Sequence, residues 1–374
     1  MKILFFITED WFFCSHFLER AAAARAAGFE VSVLTQVNTG SHANLIISKN
    51  IKLIPLKINR HGLNAFRELQ TLWAVWRVYR SEKPNIAHHI ALKPIIYGTI
   101  AAKLTQTNAI VNAPVGMGYV FTSRGWLARF LKPIIYGTFR RLLNPPRSKV
   151  IFENPDDRAI WIKAAGINNA DAVLIRGAGV NTTTFYPVSE PPGTVCIVLA
   201  ARMLWDKGVG EFVEAARLLT QAGIKGRFIL VGTPDPGNPA SISESILQEW
   251  HGQNGVEWWG RHEDMPAVLR AAHIACLPSY REGLPKSLLE AAACGLPIVT
   301  TDAPGCREIV HDGDNGFLVP VRDAHALASA LQGLIDNPVL RAAMGLRSRE
   351  MVLAHFSREQ IISETLAVYR ELTQ

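Results

Sequence analysis

The sequence predicts an α/β chain of two doubly wound parallel-sheet domains facing each other across a central cleft. Three observations carry that reading. Short apolar runs alternate with helix-length segments along the 374 residues. The alternation restarts after a proline-rich connector, Tyr186 to Gly193. The runs are apolar throughout rather than at every second residue, which suits parallel strands covered by helices on both faces.

The strand candidates of the first series are KILFFI, EVSVLT, IKLIPL, NIAHHI, AIVN and SKVIF, and those of the second are VCIVLA, RFILVG, VEWWG, IACLP, PIVTT and GFLVP. The pattern assigns residues 1–185 to a first domain and 186–355 to a second. Residues 356–374 form a C-terminal helix expected to pack back on the first domain. Ligands of such sheets bind beyond the carboxyl ends of the strands, so motifs at strand-to-helix junctions carry most weight. A seven-residue identity, KPIIYGT at Lys93–Thr99 and Lys132–Thr138, is read as two helices with similar apolar faces, because two copies do not make a solenoid.

With 48% hydrophobic and 19% charged residues the chain is too apolar for intrinsic disorder. Its five cysteines, Cys14, Cys196, Cys276, Cys294 and Cys306, show no paired spacing, which argues against a disulfide framework or zinc site and for thiols in a reducing cytoplasm. The apolar run after Lys2 is too short for a signal peptide. The longest uncharged stretch, Leu104 to Ser123, is too polar to span a bilayer. Residues 1–185 carry 23 Lys and Arg against 10 Asp and Glu, a net +13, while the remainder carries 16 against 22, a net −6. A basic half can face nucleic acid, an anionic membrane or a phosphorylated substrate, and charge alone does not choose among them.

The most informative stretch runs from Pro278 to Val299, PSYREGLPKSLLEAAACGLPIV. Pro285 is expected at the first helical position, which places Glu282 just before the helix and Glu290 inside it. The N–H groups around Gly283 to Ser287 then form a rim suited to an anion or hydroxyl. Glu290 offers two acceptor oxygens to a vicinal diol such as a ribose. Spacing alone is equally met by an exposed helix with two solvated glutamates. The second constellation, Arg202 to Gly208, follows the strand VCIVLA and sets two cations, Arg202 and Lys207, where they can converge on one diphosphate. Its plainer alternative is structural pairing with Asp206.

Together these segments resemble the retaining family 4 (group 1) sugar-nucleotide glycosyltransferases of the two-domain GT-B type. The resemblance rests on the Arg202/Lys207 pair, Val231-Gly232, the Trp259-Gly260 turn, Glu282 with Glu290, Pro304-Gly305 with Glu308, and Asn315-Gly316. It implies two Rossmann-like domains, residues 1–185 binding the acceptor and facing a membrane and 186–355 binding the nucleotide sugar, with Arg202 and Lys207 on the nucleotide diphosphate. It also implies that Glu282 with the backbone of Gly283 and Leu284 holds the donor sugar and that Glu290 binds ribose. Arg261 stands where a base can pack. No cofactor and no metal are expected, because the cations already neutralise the leaving diphosphate. Asp312-Gly313-Asp314 is read as an acidic turn rather than a metal motif.

The first half departs from the family. The junction after the first strand reads TEDWFFCSH in place of a glycine-rich loop, and Ala113 to Tyr119 lacks the histidine many members carry. Acceptor-side candidates are His16, His88, Lys93, Gly116 and Gly118, with His89 beside them, and a structural role is the alternative for each histidine. The DWFFCSH, KP and GMGY segments resemble a bacterial subgroup that glycosylates lipid-linked saccharides. That implies a UDP-linked N-acetylhexosamine donor, a lipid-linked saccharide acceptor, and peripheral attachment to the inner face of the membrane rather than nucleic-acid binding. The expected membrane segment is Arg124 to Leu143, which mixes Trp126, Phe130, Phe139 and Leu142 with Arg129, Lys132, Arg140 and Arg141. A nicotinamide oxidoreductase is disfavoured, since no G-x-G-x-x-G follows the first strand. A sugar-nucleotide epimerase of the same shape and a non-enzymatic membrane scaffold are the competing classes.

Overall fold

The computed structural model describes residues 1–58, 64–115 and 136–374. The chain divides into two compact units, Met1–Ala178 with Ile361–Gln374, and Gly179–Gln360. The boundary lies ahead of the proline-rich connector because Val180 bridges to Ser357 and is buried in the second unit's core.

The first unit holds β1 (Lys2–Glu9), β2 (Glu30–Gln36), β3 (Lys52–Pro55), β4 (Ile86–Ile90), β5 (Ala109–Ala113), β6 (Ser148–Phe152) and β7 (Ala172–Leu174). They form one parallel sheet in the order β3-β2-β1-β4-β5-β6-β7. The second unit holds β8 (Cys196–Ala200), β9 (Arg227–Val231), β10 (Val256–Gly260), β11 (Ile274–Leu277), β12 (Ile298–Thr301) and β13 (Gly316–Val319), also parallel, in the order β10-β9-β8-β11-β12-β13. Each of the twelve apolar runs is a strand; among the described residues β7, in the further run AVLI, is the strand they omit. β4 and β5 are buried at every position, which is why they read as continuous apolar sequence.

In each sheet the strand order reverses once, between β1 and β4 and between β8 and β11. Connections leave in opposite directions there, so a crevice opens beyond the carboxyl ends of the two strands. In the second unit that reversal brings the loop after β8 beside the loop after β11. The C-terminal helix, Arg358–Thr373, buries Ile361, Val368 and Tyr369 in the core of the first unit, against side chains of β1 and β2. The first KPIIYGT copy lies in helix Leu92–Leu104, with Pro94, Ile95, Tyr97 and Gly98 buried.

The expected membrane segment is described only in its last part. Residues 124–135 lie outside the described residues, and 136–142 are helical. There Phe139 and Leu142 are buried, and Phe139 stacks edge-on against Trp161 at 5.3 Å. Those two apolar side chains are taken by the core, while Arg140 and Arg141 face water.

Candidate active site

After β8 the chain leaves the sheet by backbone bonds from Ala201 N to Val231 O and from Met203 N to Thr233 O. Met203 and Leu204 plug into the core while Arg202, between β8 and Met203, stays two-fifths exposed. A single 3-10 turn, Trp205–Lys207, then delivers Lys207, and Gly208 opens helix Val209–Gln221. Gly208 has φ +71°, and a Cβ there would sit 2.1 Å from the Pro278 carbonyl oxygen. Only glycine permits both the left-handed backbone and this approach to the loop after β11.

That second loop is anchored at several points. Thr300 Oγ1 donates to Leu277 O at 2.6 Å, Thr301 Oγ1 donates to Ser279 O, and Tyr280 N donates to Asp206 O at 2.9 Å. Glu282 N donates to Pro304 O at 3.0 Å. Gly305, at φ +81°, lies so close beneath that an added Cβ would meet the carbonyls of Glu282 and Gly283 at 2.6 Å. The Pro304-Gly305 turn therefore supports the backbone on which the Glu282 side chain stands.

The two loops meet in one ion pair. Lys207 Nζ donates to Glu282 Oε1 at 2.5 Å, and Ser279 Oγ donates to the same oxygen at 2.6 Å. Both charged side chains are largely shielded, at 17% and 12% exposure. Next to them burial raises the Asp206 carboxyl above its usual range; Lys207 and Arg202 oppose the shift and Glu282 adds to it. Asp206 Oδ1 is buried with no hydrogen-bond partner among the described residues. Tyr280 Oη donates to Glu211 Oε1 at 2.6 Å, and the Arg322 guanidinium lies 4.5 Å from the centre of its ring. Burial and Glu211 push the Tyr280 hydroxyl up to about 12.

Helix Lys286–Ala293 begins one residue later than expected, with Pro285 as its extended N-cap rather than its first turn. The helix buries Leu288, Leu289 and Ala291 to Ala293, and Leu284 is packed into the same core. Glu290 is nearly enclosed, with Lys286 Nζ at 3.4 Å. Burial raises its carboxyl, and Lys286 only partly offsets this. It is not the solvated glutamate that spacing alone allows. Arg202 pairs not with Asp206 but with Asp235 beyond β9, at 2.6 Å. Arg261 is exposed directly after β10. Asp312 Oδ1 accepts from Leu318 N at 2.9 Å, closing the acidic segment into a turn before β13.

The acceptor-side candidates fare differently. His88 is fully buried, its Nδ1 2.7 Å from Tyr369 Oη and its ring packed on Phe5 and Phe17. Burial, with Arg20 and His89 nearby, holds its pKa well below the usual histidine value, so it is a neutral core residue. His89 is likewise enclosed, between Tyr79 Oη at 2.9 Å and Asn112 Oδ1 at 2.8 Å. Lys93 is ion-paired with Glu68 at 2.9 Å. His16 is half-buried against Phe12 at the end of helix Asp10–His16. Gly116 and Gly118 lie outside the described residues.

Where a glycine-rich loop was absent, Asp10 takes its place as an organiser. It is fully buried and accepts from Trp11 N, from Asn38 N and Nδ2, and from Thr39 N. Burial works against its charge, yet these donors outweigh it and hold the carboxyl below the usual range. Sequence reasoning missed this residue and Asp235, because each acts through a partner from another loop, and missed Ser279, whose hydroxyl reaches Glu282 only through the fold of their shared loop.

The second unit therefore presents a shielded cation–carboxylate pair and a nearly enclosed carboxylate around the β8/β11 reversal, a setting for an anionic ligand bearing hydroxyls. Comparison with known proteins gives the family. The family model described as glycosyl transferases group 1 matches residues 194–337, and that described as glycosyl transferase 4-like matches residues 2–154. The chain belongs to this glycosyltransferase family. It is 27% identical to the N,N'-diacetylbacillosaminyl-diphospho-undecaprenol alpha-1,3-N-acetylgalactosaminyltransferase of Campylobacter jejuni, over 84% of each chain. It is 22% identical to the UDP-Gal:alpha-D-GlcNAc-diphosphoundecaprenol alpha-1,3-galactosyltransferase of Escherichia coli, over 83% of this chain and 81% of that one. Among solved structures, sucrose-phosphate synthase from Thermosynechococcus elongatus superposes with a TM-score of 0.80 at 21% identity, covering 100% of this chain and 99% of that one. Anabaena HepE in complex with UDP superposes with a TM-score of 0.78 at 18% identity, covering 99% and 100%. The fold is that of GT-B glycosyltransferases, with two Rossmann-like domains.

Proposed function

We propose that this glycosyltransferase moves a sugar from a nucleotide diphosphate donor, a UDP-linked N-acetylhexosamine being favoured, to a hydroxyl of a lipid-linked saccharide in bacterial surface-glycan assembly. The transfer retains the anomeric configuration. The observation that carries this reading is the Lys207–Glu282 pair at the strand-order reversal of the second unit. The diphospho-undecaprenol substrates in the names of the two relatives support the acceptor class, and the UDP complex of the structural neighbour supports the nucleotide.

In this reading Arg202 and Lys207 bind the donor diphosphate and stabilise the charge that grows on it as the anomeric carbon–oxygen bond breaks. The leaving phosphate oxygen takes the proton of the acceptor hydroxyl, whose oxygen bonds to the anomeric carbon from the face just vacated. Glu282, with the backbone of Gly283 and Leu284, orients the transferred sugar. Glu290 accepts from the ribose hydroxyls, and Arg261 packs beside the base. The first unit takes the acceptor, with Lys93 and His16 as its remaining described candidates, and faces the inner surface of a membrane.

Titration of the full chain with a panel of UDP- and GDP-sugars tests the donor side. Saturable binding of one nucleotide class, weakened at least tenfold in Lys207→Ala, is the expected result. Failure of every nucleotide sugar to bind would overturn the reading.

A further inference from the structure

Helix Ala65–Glu82 of the first unit carries two apolar stripes rather than one. Leu72, Val75 and Tyr79 face the core beneath it. On the opposite side Phe66, Leu69 and Trp73 are 69%, 65% and 57% exposed. At 3.6 residues per turn these three share an arc of about 100° with Trp76, Arg77 and Arg80. The outer face of a surface helix is normally polar, so three large exposed apolar side chains in register are a departure that calls for a partner.

The charges on that face say which partner. The Arg77 guanidinium lies 4.7 Å from the centre of the Trp73 ring, and that of Arg80 lies 5.3 Å from Trp76. The two pairs border an open groove of about 580 Å³. Arginine held on tryptophan presents a cation and an aromatic ring at the same depth, the composition of a helix lying at the headgroup boundary. Its stem covers apolar surface while its charge meets lipid phosphate. The unit also lies in the half of the chain with net charge +13.

From this face we infer that helix Ala65–Glu82 docks the protein on an anionic lipid bilayer, with Phe66, Leu69 and Trp73 in the headgroup–acyl boundary and Arg77 and Arg80 on lipid phosphates. This deepens the membrane-facing reading of the first unit and rests on it for its purpose, but the contact is measured without any transfer reaction. The anchor is a described helix remote in sequence from residues 124–143, in which the basic and aromatic composition first suggested one.

The test is sedimentation of the full chain with vesicles of equal phosphatidylglycerol and phosphatidylcholine, and with phosphatidylcholine alone, at low and at 0.5 M salt. Binding should require phosphatidylglycerol and fall with salt. It should drop at least tenfold both in a Phe66→Ser/Leu69→Ser/Trp73→Ser variant and in an Arg77→Glu/Arg80→Glu variant, with melting temperature and turnover on a soluble acceptor analogue unchanged. Unaltered binding in either variant overturns the inference, as does a wild type that ignores anionic vesicles. So does a stripe variant that changes only oligomeric state by gel filtration, which would make the face a contact between two copies. Vesicle binding without any glycosyl transfer would sink the proposed activity and leave this anchor standing.

Discussion

Lys207 Nζ and Glu282 Oε1 lie 2.5 Å apart although 75 residues separate them in sequence. The contact joins the loops beyond β8 and β11, and Ser279 completes it from a third direction. A cation already fixed beside a carboxylate needs little reorganisation when charge develops on a leaving diphosphate, and such preorganised stabilisation is a large term in transfer chemistry.

Lys207→Ala should lower turnover by about 10²–10³, the loss typical of removing one preorganised electrostatic donor. Glu282→Ala should lower turnover and donor affinity together. Because the two groups act as one unit, the double variant should be little worse than the poorer single one. Steady-state kinetics on the three variants checks this; strictly multiplicative losses would mean that the pair acts as two independent groups.

Glu290 should differ in kind from Glu282. Its enclosed carboxyl is raised by burial, and in the proposed role it accepts from ribose hydroxyls in ground and transition state alike. Glu290→Ala should therefore weaken nucleotide binding roughly tenfold or more while sparing turnover at saturating donor. Titration calorimetry with UDP alongside kinetics separates the two, and a loss of turnover with unchanged affinity would contradict the assignment.

Gly208→Ala should destabilise the second unit by on the order of 3 kcal/mol, since it combines a left-handed backbone with a clash against a carbonyl that cannot move freely. The Cβ would stand 2.1 Å from Pro278 O at φ +71°. Thermal unfolding followed by circular dichroism should show a lowered midpoint, and a wild-type midpoint would show that the two loops can separate.

His89 supplies a pH dependence whose sign follows from its burial. Desolvation lowers its pKa from 6.5 to about 4 in the folded chain, with Asn112 working the other way. Between those values the unfolded chain binds the extra proton and the folded one does not. Stability is thus complete above pH 6.5 and is lost on acidification towards pH 4, at about 1.4 kcal/mol per pH unit from this group. His89→Gln should be less stable at pH 7 but show a shallower loss of melting temperature between pH 6.5 and 4. An identical slope in both proteins would remove His89 as the cause.

Much of the fold was legible because parallel strands buried on both faces read as unbroken apolar runs; β7, in the run AVLI, carries the same signal and was passed over. The cations and glutamates of the second unit were legible as residue types at strand-to-helix junctions, but their pairing was not. The structural alternative for the two cations is pairing with Asp206, whereas the fold supplies Asp235, from beyond β9, to Arg202. NIAHHI shows the opposite failure. Two adjacent histidines at a strand's end look available for chemistry, yet a strand alternates its side chains between faces. Both faces of β4 are covered, by Tyr369 on one and Tyr79 on the other.

The most direct test of the central claim is the anomeric configuration of the product. The full chain is incubated with a UDP-linked N-acetylhexosamine and a polyprenyl-diphosphate-linked saccharide, and the new linkage is read by nuclear magnetic resonance. The account predicts a product carrying the donor sugar with its anomeric configuration unchanged, formed by the wild type and depressed in Lys207→Ala. An inverted linkage, or a product formed equally well by Lys207→Ala, would contradict it.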